Sequence, residues 1–208
     1  MSFRTRMSKP SFVPTVIAAG AIGTAALALA TTGTLSAFAA SIENSVNTTK
    51  TANLVLQETN SDGSVTCTSS DSATNAATCA TINKYGGQTI TPGGSSTTTV
   101  KMTNLGTIAP STFALTAGAC TQSGAPASGT AATDLCSKLT LNVYAAATAT
   151  GTPIYSGSLS GFTNPVNLTP LAANATQAYT FVISVPSTLD NTYQGLTASQ
   201  PLTWTMSS

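Results

Sequence analysis

The sequence predicts an all-β protein: a jelly-roll-like antiparallel β-sandwich of about eight strands, preceded by a cleaved signal peptide. Three observations carry this expectation. Apolar and polar residues alternate at period two in one stretch after another. Pro, Gly and Asn punctuate those stretches at short intervals. Beyond residue 39 there is no helical periodicity.

The chain opens on a basic stretch, "MSFRTRMSKP", with Arg4, Arg6 and Lys9, and continues into "FVPTVIAAGAIGTAALALATTGTLSAFAA". A basic head, an apolar middle and a small-residue end make a secretory signal peptide. Cleavage is expected after Ala39, because Ala37 and Ala39 satisfy the A-x-A requirement. Cutting after Ala40 would put bulky Phe38 at the third position. A retained membrane anchor is the alternative, since the apolar run approaches the ~20 residues of a spanning helix. The small-residue end favours removal, and the early Glu of a type IV pilin helix is missing.

Removal of residues 1–39 from the 208 leaves 169 residues, enough for one domain with a proper core. Residues 40–50 read as a mobile N-terminal segment and residues 51–208 as the sandwich. The remaining charges are Lys50, Lys84, Lys101 and Lys138 against Glu43, Glu58, Asp62, Asp71, Asp134 and Asp190, a net charge of −2 with no Arg. Nucleic-acid binding needs clustered cations, so it is excluded. So little charge is unusual for a free monomer. Thr, Ser, Asn and Gln supply the polarity, as in a Thr-rich extracellular domain or a subunit made to associate.

All four cysteines follow the signal and imply an oxidising destination. Three pairings are possible. The local pair Cys67–Cys79 and Cys120–Cys136 is favoured, because each closes a loop too poor in apolar residues to pack itself. Each cross-link would contribute ~3 kcal/mol by restricting the unfolded chain. No C-x-x-C spacing supports zinc.

"ASIENSVNTTKTANLVLQET" ends in a strand around Leu54, Val55 and Leu56, and "NSDGS" then turns the chain. Asn60, Asp62 and Gly63 match part of a calcium loop, but the other ligands and the distal Glu are missing. "SSTTTVKMTN" places Thr98, Val100 and Met102 on one face. "STFALTA" does the same with Phe113 and Leu115, and "KLTLNVYAA" with Leu139, Leu141 and Val143. "TPIYSGSLSGF" is a short strand bending at Gly157. "QAYTFVISVP" is the strongest strand, with Tyr179, Phe181, Ile183 and Val185 together. "PLTWTM" closes the sheet with Leu202, Trp204 and Met206 inward. Trp204, the single tryptophan, is a large plug for a core of small aliphatics. "NTYQGL" is its approach, with Tyr193 a corner residue and Gly195 allowing a bend.

Catalytic chemistry is missing. The chain has no His, on which acid–base, metal and nucleophile chemistry most often depends. The acids are scattered, the nearest pair, Glu58 and Asp62, flanking a turn. No H-E-x-x-H, P-loop or dinucleotide motif exists. Neither enzyme activity nor a cofactor or metal is expected.

Two stretches resemble a known family. "GTLSAFAASIENSVNTTKTANLVLQET" (33–59) resembles the signal junction of TasA-like and camelysin-like proteins, spore coat-associated secreted proteins processed by signal peptidase W. "VPSTLDNTYQGLTASQPLTWT" (185–205) is similar to their C-terminal signature, N-x-Y-Q-G-L followed by a strand ending in W-T. "ITPGGSSTTTVKMTNLGTIAPSTFALTA" fits their P-G turn, strand and N-x-G turn. Actinobacterial members with two disulfides are most alike. The resemblance covers most of the mature chain. It implies a jelly-roll sandwich exported to the cell surface or matrix, cut by a signal peptidase, and polymerising into biofilm-matrix fibres. There the freed N-terminal segment enters the next subunit as an added strand. Carried over to residues 40–50, this makes Ile42 and Val46 the donor plugs, four apart and so on one face of a strand. The implied partner is self, with other matrix components beside it. The disulfide loops depart from the archetypal fibre subunit, and the donor segment is short and polar. Some camelysin relatives carry a metalloprotease label, which a chain without His does not support.

Two functions from different classes follow: a secreted structural subunit of extracellular fibres, or a monomeric secreted binding module using loops 68–78 and 121–135.

Overall fold

In the computed structural model, residues 48–126 and 129–208 are described. The signal peptide with its Ala37, Ala39 and Ala40 junction, and the donor residues Ile42 and Val46, lie outside the described residues. Eleven strands are found among the described residues. They are β1 (Leu56–Asn60), β2 (Thr66–Thr68), β3 (Ser95–Asn104), β4 (Thr112–Ala117), β5 (Thr121–Ser123) and β6 (Thr140–Tyr144). β7 (Tyr155–Ser158), β8 (Val166–Leu168), β9 (Thr176–Ser184), β10 (Thr197–Ser199) and β11 (Leu202–Ser207) follow. The chain is thus an all-β antiparallel sandwich. Four of the eleven, against about eight expected, are three-residue pieces, β2, β5, β8 and β10, too short to leave a period-two pattern and held by their partners instead.

Three sheets result: six strands in the order β2-β1-β3-β9-β6-β7, three in the order β11-β4-β8, and the pair β10-β5. The central pairing is β3 with β9, in register from Ser95↔Ser184 to Thr103↔Thr176. That register brings Val100 opposite Tyr179, and β6 adds Val143 opposite Phe181. All four are buried, with Met102, Leu141 and Ile183 beside them. From the facing sheet come Phe113 and Leu115, also buried. The alternation read from the sequence is therefore the inward face of each long strand. On the opposite face of the six-stranded sheet, Thr99 bonds Thr180 at 2.9 Å and Thr103 bonds Thr176 at 2.8 Å. These Thr ladders supply the polarity that charge does not.

Local chemistry sets the connections. The β1–β2 hairpin turns at Gly63, whose φ of 81° suits glycine. Asn60 Oδ1 accepts from the Val65 amide and Asp62 Oδ1 from the Ser64 amide. Asn60, Asp62 and Gly63 thus act as turn residues rather than as the start of a calcium loop. Bonding from Ser64, side chain first and then backbone, holds the Asp62 carboxyl below the usual carboxylate range. Gly157 lies within β7 and does not end it. A Cβ there would sit 2.9 Å from the Tyr155 hydroxyl, whose ring stacks on Phe162 with centroids 4.1 Å apart. One turn of helix, α1 (Leu135–Lys138), is the only α-helical element among the described residues. No helix there is long and apolar enough to cross a membrane.

Candidate functional site

β11 is the last strand of the three-stranded sheet and, among the described residues, pairs only with β4. Its register, Leu202↔Ala117, Trp204↔Leu115 and Met206↔Phe113, turns Leu202, Trp204 and Met206 to the inner side. Those three are half-buried, while Thr203, Thr205 and Ser207 are exposed. The indole of Trp204 stacks on Phe113 at 5.9 Å and meets Tyr179 at 4.9 Å and Phe181 at 6.1 Å. One side of the ring therefore plugs the core, as the sequence suggests. The residue also lines a groove.

The groove encloses about 1380 Å³, beyond the ~300–1,000 Å³ of ordinary ligand pockets. Leu202, Trp204 and Met206 form one wall. Leu56, Glu58 and Cys67, on the inner face of β1 and β2, line another part, with Ile82, Lys84 and Tyr85 from the connection to β3. Tyr85 donates to Gln200 Oε1 at 2.8 Å, and Gln200 Nε2 donates to the Gly118 and Leu159 carbonyls, which ties that connection to the β10–β11 corner. Burial pushes the Tyr85 phenol well above its ordinary value, so it stays a neutral donor.

Inside the groove lies a buried ion pair that the sequence did not announce. β1 pairs with β3 so that Glu58 stands opposite Met102, on the inner face. Lys84 Nζ reaches Glu58 Oε1 at 2.7 Å, the two side chains being 9% and 8% exposed. At that distance the ammonium and carboxylate satisfy each other as a charge-assisted pair, while Trp204 Nε1 is a buried polar side-chain atom without a hydrogen-bond partner among the described residues. Glu58 is therefore not a turn-flanking acid in water, as its neighbourhood implies. Its parity with Leu54 and Leu56 was the available signal, because alternate residues share a face.

Both disulfides form in the favoured local pairing, Cys67–Cys79 and Cys120–Cys136. They fit an oxidising compartment. Cys67 sits opposite Glu58 in the hairpin, so the first bridge faces the groove, and Asn75–Thr78 of its loop line it. That loop folds back on the chain entering β1: Leu56 N donates to Ser69 Oγ at 3.0 Å and Asn75 Nδ2 to the Leu54 carbonyl at 2.8 Å. The second loop is fastened elsewhere. Gln122 Nε2 donates to the Ala132 carbonyl at 2.6 Å, and Leu135 N donates to Gln122 Oε1 at 2.8 Å.

Tyr193 and Gly195 also border the groove. Asp190 caps the 3-10 turn Asn191–Tyr193 by accepting from Thr192 N, and Tyr193 donates its hydroxyl to Asp134 Oδ1 at 2.6 Å. Gly195 has φ of 76°, and a Cβ there would lie 2.9 Å from the Ala125 carbonyl, so this position demands glycine twice over. The N-x-Y-Q-G-L stretch is thus a clasp between the second disulfide loop and the groove rim. Cys67, Cys79, Tyr193, Gly195, Leu202 and Trp204 all meet around one groove.

Among the described residues no three His, Cys, Asp or Glu gather as a metal site. No protein-family model matches the chain, and no curated protein matches it either.

Proposed function

We propose that the mature chain is a secreted structural subunit of extracellular fibres or surface matrix, a TasA-like or camelysin-like protein in kind, assembled by strand donation. In this proposal residues 40–50 of one copy lie along β11 of the next, with Ile42 and Val46 as plugs. The observation that carries it is the edge of β11 to which no described strand is paired, beside a large, partly apolar groove. Such an edge is a template for a further strand, and a sheet of three strands facing one of six leaves room for it. Length agrees as well. Ala40–Asn47 precede the first described residue and reach up to about 27 Å when extended, whereas six-residue β11 spans about 20 Å. A contact from one copy's leader to the next copy's groove is heterologous and need not close, so it propagates. Catalysis has no part in this proposal.

Electron microscopy and light scattering on secreted protein beginning at Ala40 test it. Filaments are expected, and they disappear when residues 40–50 are deleted. A mature protein that stays monomeric with or without that segment, at high concentration and across pH, overturns the proposal. The binding-module alternative draws on the lining of the groove by the Cys67–Cys79 loop. It predicts ligand binding lost on exchanging residues 68–78, with no polymer.

A further inference from the structure

The groove is crossed by part of its own chain. Residues 80–90, between Cys79 and β3, run without helix or strand. Among the described residues, their only backbone–backbone hydrogen bond is internal, from Gly86 N to the Asn83 carbonyl. Side chains alone therefore fasten this segment to the sandwich. Ile82 is buried in the core, and Gln88 Nε2 donates to Ser96 Oγ on β3 at 2.9 Å. Between those ends, two adjacent residues reach opposite walls. Lys84 pairs with Glu58 on β1 at 2.7 Å, and Tyr85 donates to Gln200 Oε1, just before β11, at 2.8 Å. Both line the groove, so the segment spans it from one sheet towards the other.

Resting on strand donation as the function, we infer that residues 80–90 are a displaceable strap, latched by Lys84 and Tyr85, which an incoming strand must lift before it can lie along β11. The bonding pattern makes lifting local. A segment tied by a few side chains opens at a fraction of the cost of global unfolding, whereas a strand would have to give up its whole ladder. The latch chemistry makes lifting reversible. Burying Lys84 and Glu58 strips both of water, and their mutual attraction barely offsets that loss. Once the strap lifts, water takes both charges back, so the pair resists opening less than two well-packed apolar side chains of similar volume. Tyr85 likewise exchanges its bond to Gln200 for one to water. An apolar latch would hold the groove shut, while a polar one closes it and still releases. The strap thus covers the groove while the molecule is alone and sets the barrier to assembly.

The test is native-state proteolysis of the full mature chain beginning at Ala40, with chymotrypsin, which cuts after Tyr and Phe. Cleavage after residue 85 reports the lifted strap, and cleavage after Tyr179, buried in the core, reports global unfolding. Fragments are identified by mass, rates are normalised to those on the urea-unfolded chain, and filament formation is followed by light scattering. In the unaltered chain, residue 85 should be cut roughly tenfold or more faster than Tyr179 and should respond weakly to low urea, because little surface opens. Tyr85→Phe removes one latch, so cleavage after residue 85 should rise roughly fivefold and the lag before filaments should shorten. Glu58→Leu with Lys84→Met makes the other latch apolar, so cleavage should fall roughly tenfold and the lag should lengthen. If the two sites are cut at one rate in the unaltered chain, the strap opens only with the whole fold, and the inference falls while strand donation stands. It falls likewise if Tyr85→Phe leaves the lag unchanged or lengthens it, the result for a wall that merely shapes the groove. If the unaltered chain forms no filaments with or without residues 40–50, strand donation itself fails and takes the strap's gating role with it, whatever the cleavage rates.

Discussion

Asn104 and Glu58 are both polar, both buried and both on the inner face of the six-stranded sheet, yet their surroundings differ. Asn104, with no exposed surface, donates to the Ile108 and Leu171 carbonyls at 2.8 and 2.9 Å and accepts from Gly106 N at 2.8 Å. Glu58 is instead held by a single ammonium, Lys84 Nζ, 2.7 Å from its Oε1. The closed side also holds the aromatic cluster of Phe113, Tyr179 and Phe181, fully covered. The groove side holds Leu202, Trp204 and Met206, covered by half. Native interiors rarely leave buried polar atoms unmatched, and Trp204 Nε1, on the groove wall, has no hydrogen-bond partner among the described residues.

Breaking the closed side should give the largest effect. Phe181→Ala removes a fully buried ring that touches Trp204 and is expected to cost about 3–5 kcal/mol in urea unfolding. Met206→Ala, half-buried at the groove, should cost only about 1 kcal/mol yet weaken assembly. If the two substitutions destabilise the monomer equally, the groove is as tightly packed as the core and the comparison fails.

Asn104→Ala comes next. It strands two carbonyls and one amide at the turn where Gly106 passes the Asn53 carbonyl so closely that no Cβ would fit. A loss of about 2–3 kcal/mol is expected by thermal or urea unfolding, with filament formation by the surviving folded protein unchanged. A loss under half a kcal/mol would mean that the turn readily rehydrates and is not the rigid end of β3.

How much of this was legible beforehand follows the same division. The closed side could be read, because β3, β4, β6 and β9 are long enough for period two to show which residues face inward. The disulfide pairing could be favoured, because loops of such composition cannot pack alone. The groove could not be read. It depends on β1 lying next to β3 rather than joining the smaller sheet, a choice made by pairing residues some forty positions apart. Leu54 and Val55 looked like strand and lie just before β1. Their carbonyls bond instead to the Asn75 side chain and the Leu105 amide, partners that no local pattern reveals. Glu58 escaped notice because a carboxylate on an apolar face makes sense only once Lys84 is brought to it.

The smallest effect belongs to the clasp at the rim, where Tyr193 donates to Asp134 and Lys138 lies 3.3 Å from the same carboxylate. Bonding from Tyr193, more than the nearby Lys138, holds the Asp134 carboxyl below its usual range. Acceptance by Asp134 raises the Tyr193 phenol to about 12. The signs run opposite ways. A carboxyl depressed in the folded state contributes stability above its unfolded value, near 3.8, and loses it as pH falls through the lower folded value. A phenol raised in the folded state contributes below its unfolded value, near 10, and loses that contribution as pH climbs through about 12. The clasp is therefore intact throughout the neutral range and opens only at the extremes. Asp134 is exposed and Tyr193 only half-buried, so solvent screening keeps the contribution to global stability slight, and the sensitive readout is local. Tyr193→Phe should return the Asp134 carboxyl towards its ordinary value in an NMR titration and increase amide exchange around Ala132, whose N–H bonds the Thr192 carbonyl. Neutral-pH filament formation should be unaltered by this change if the rim clasp merely frames the groove, and impaired if the clasp itself receives part of the incoming strand.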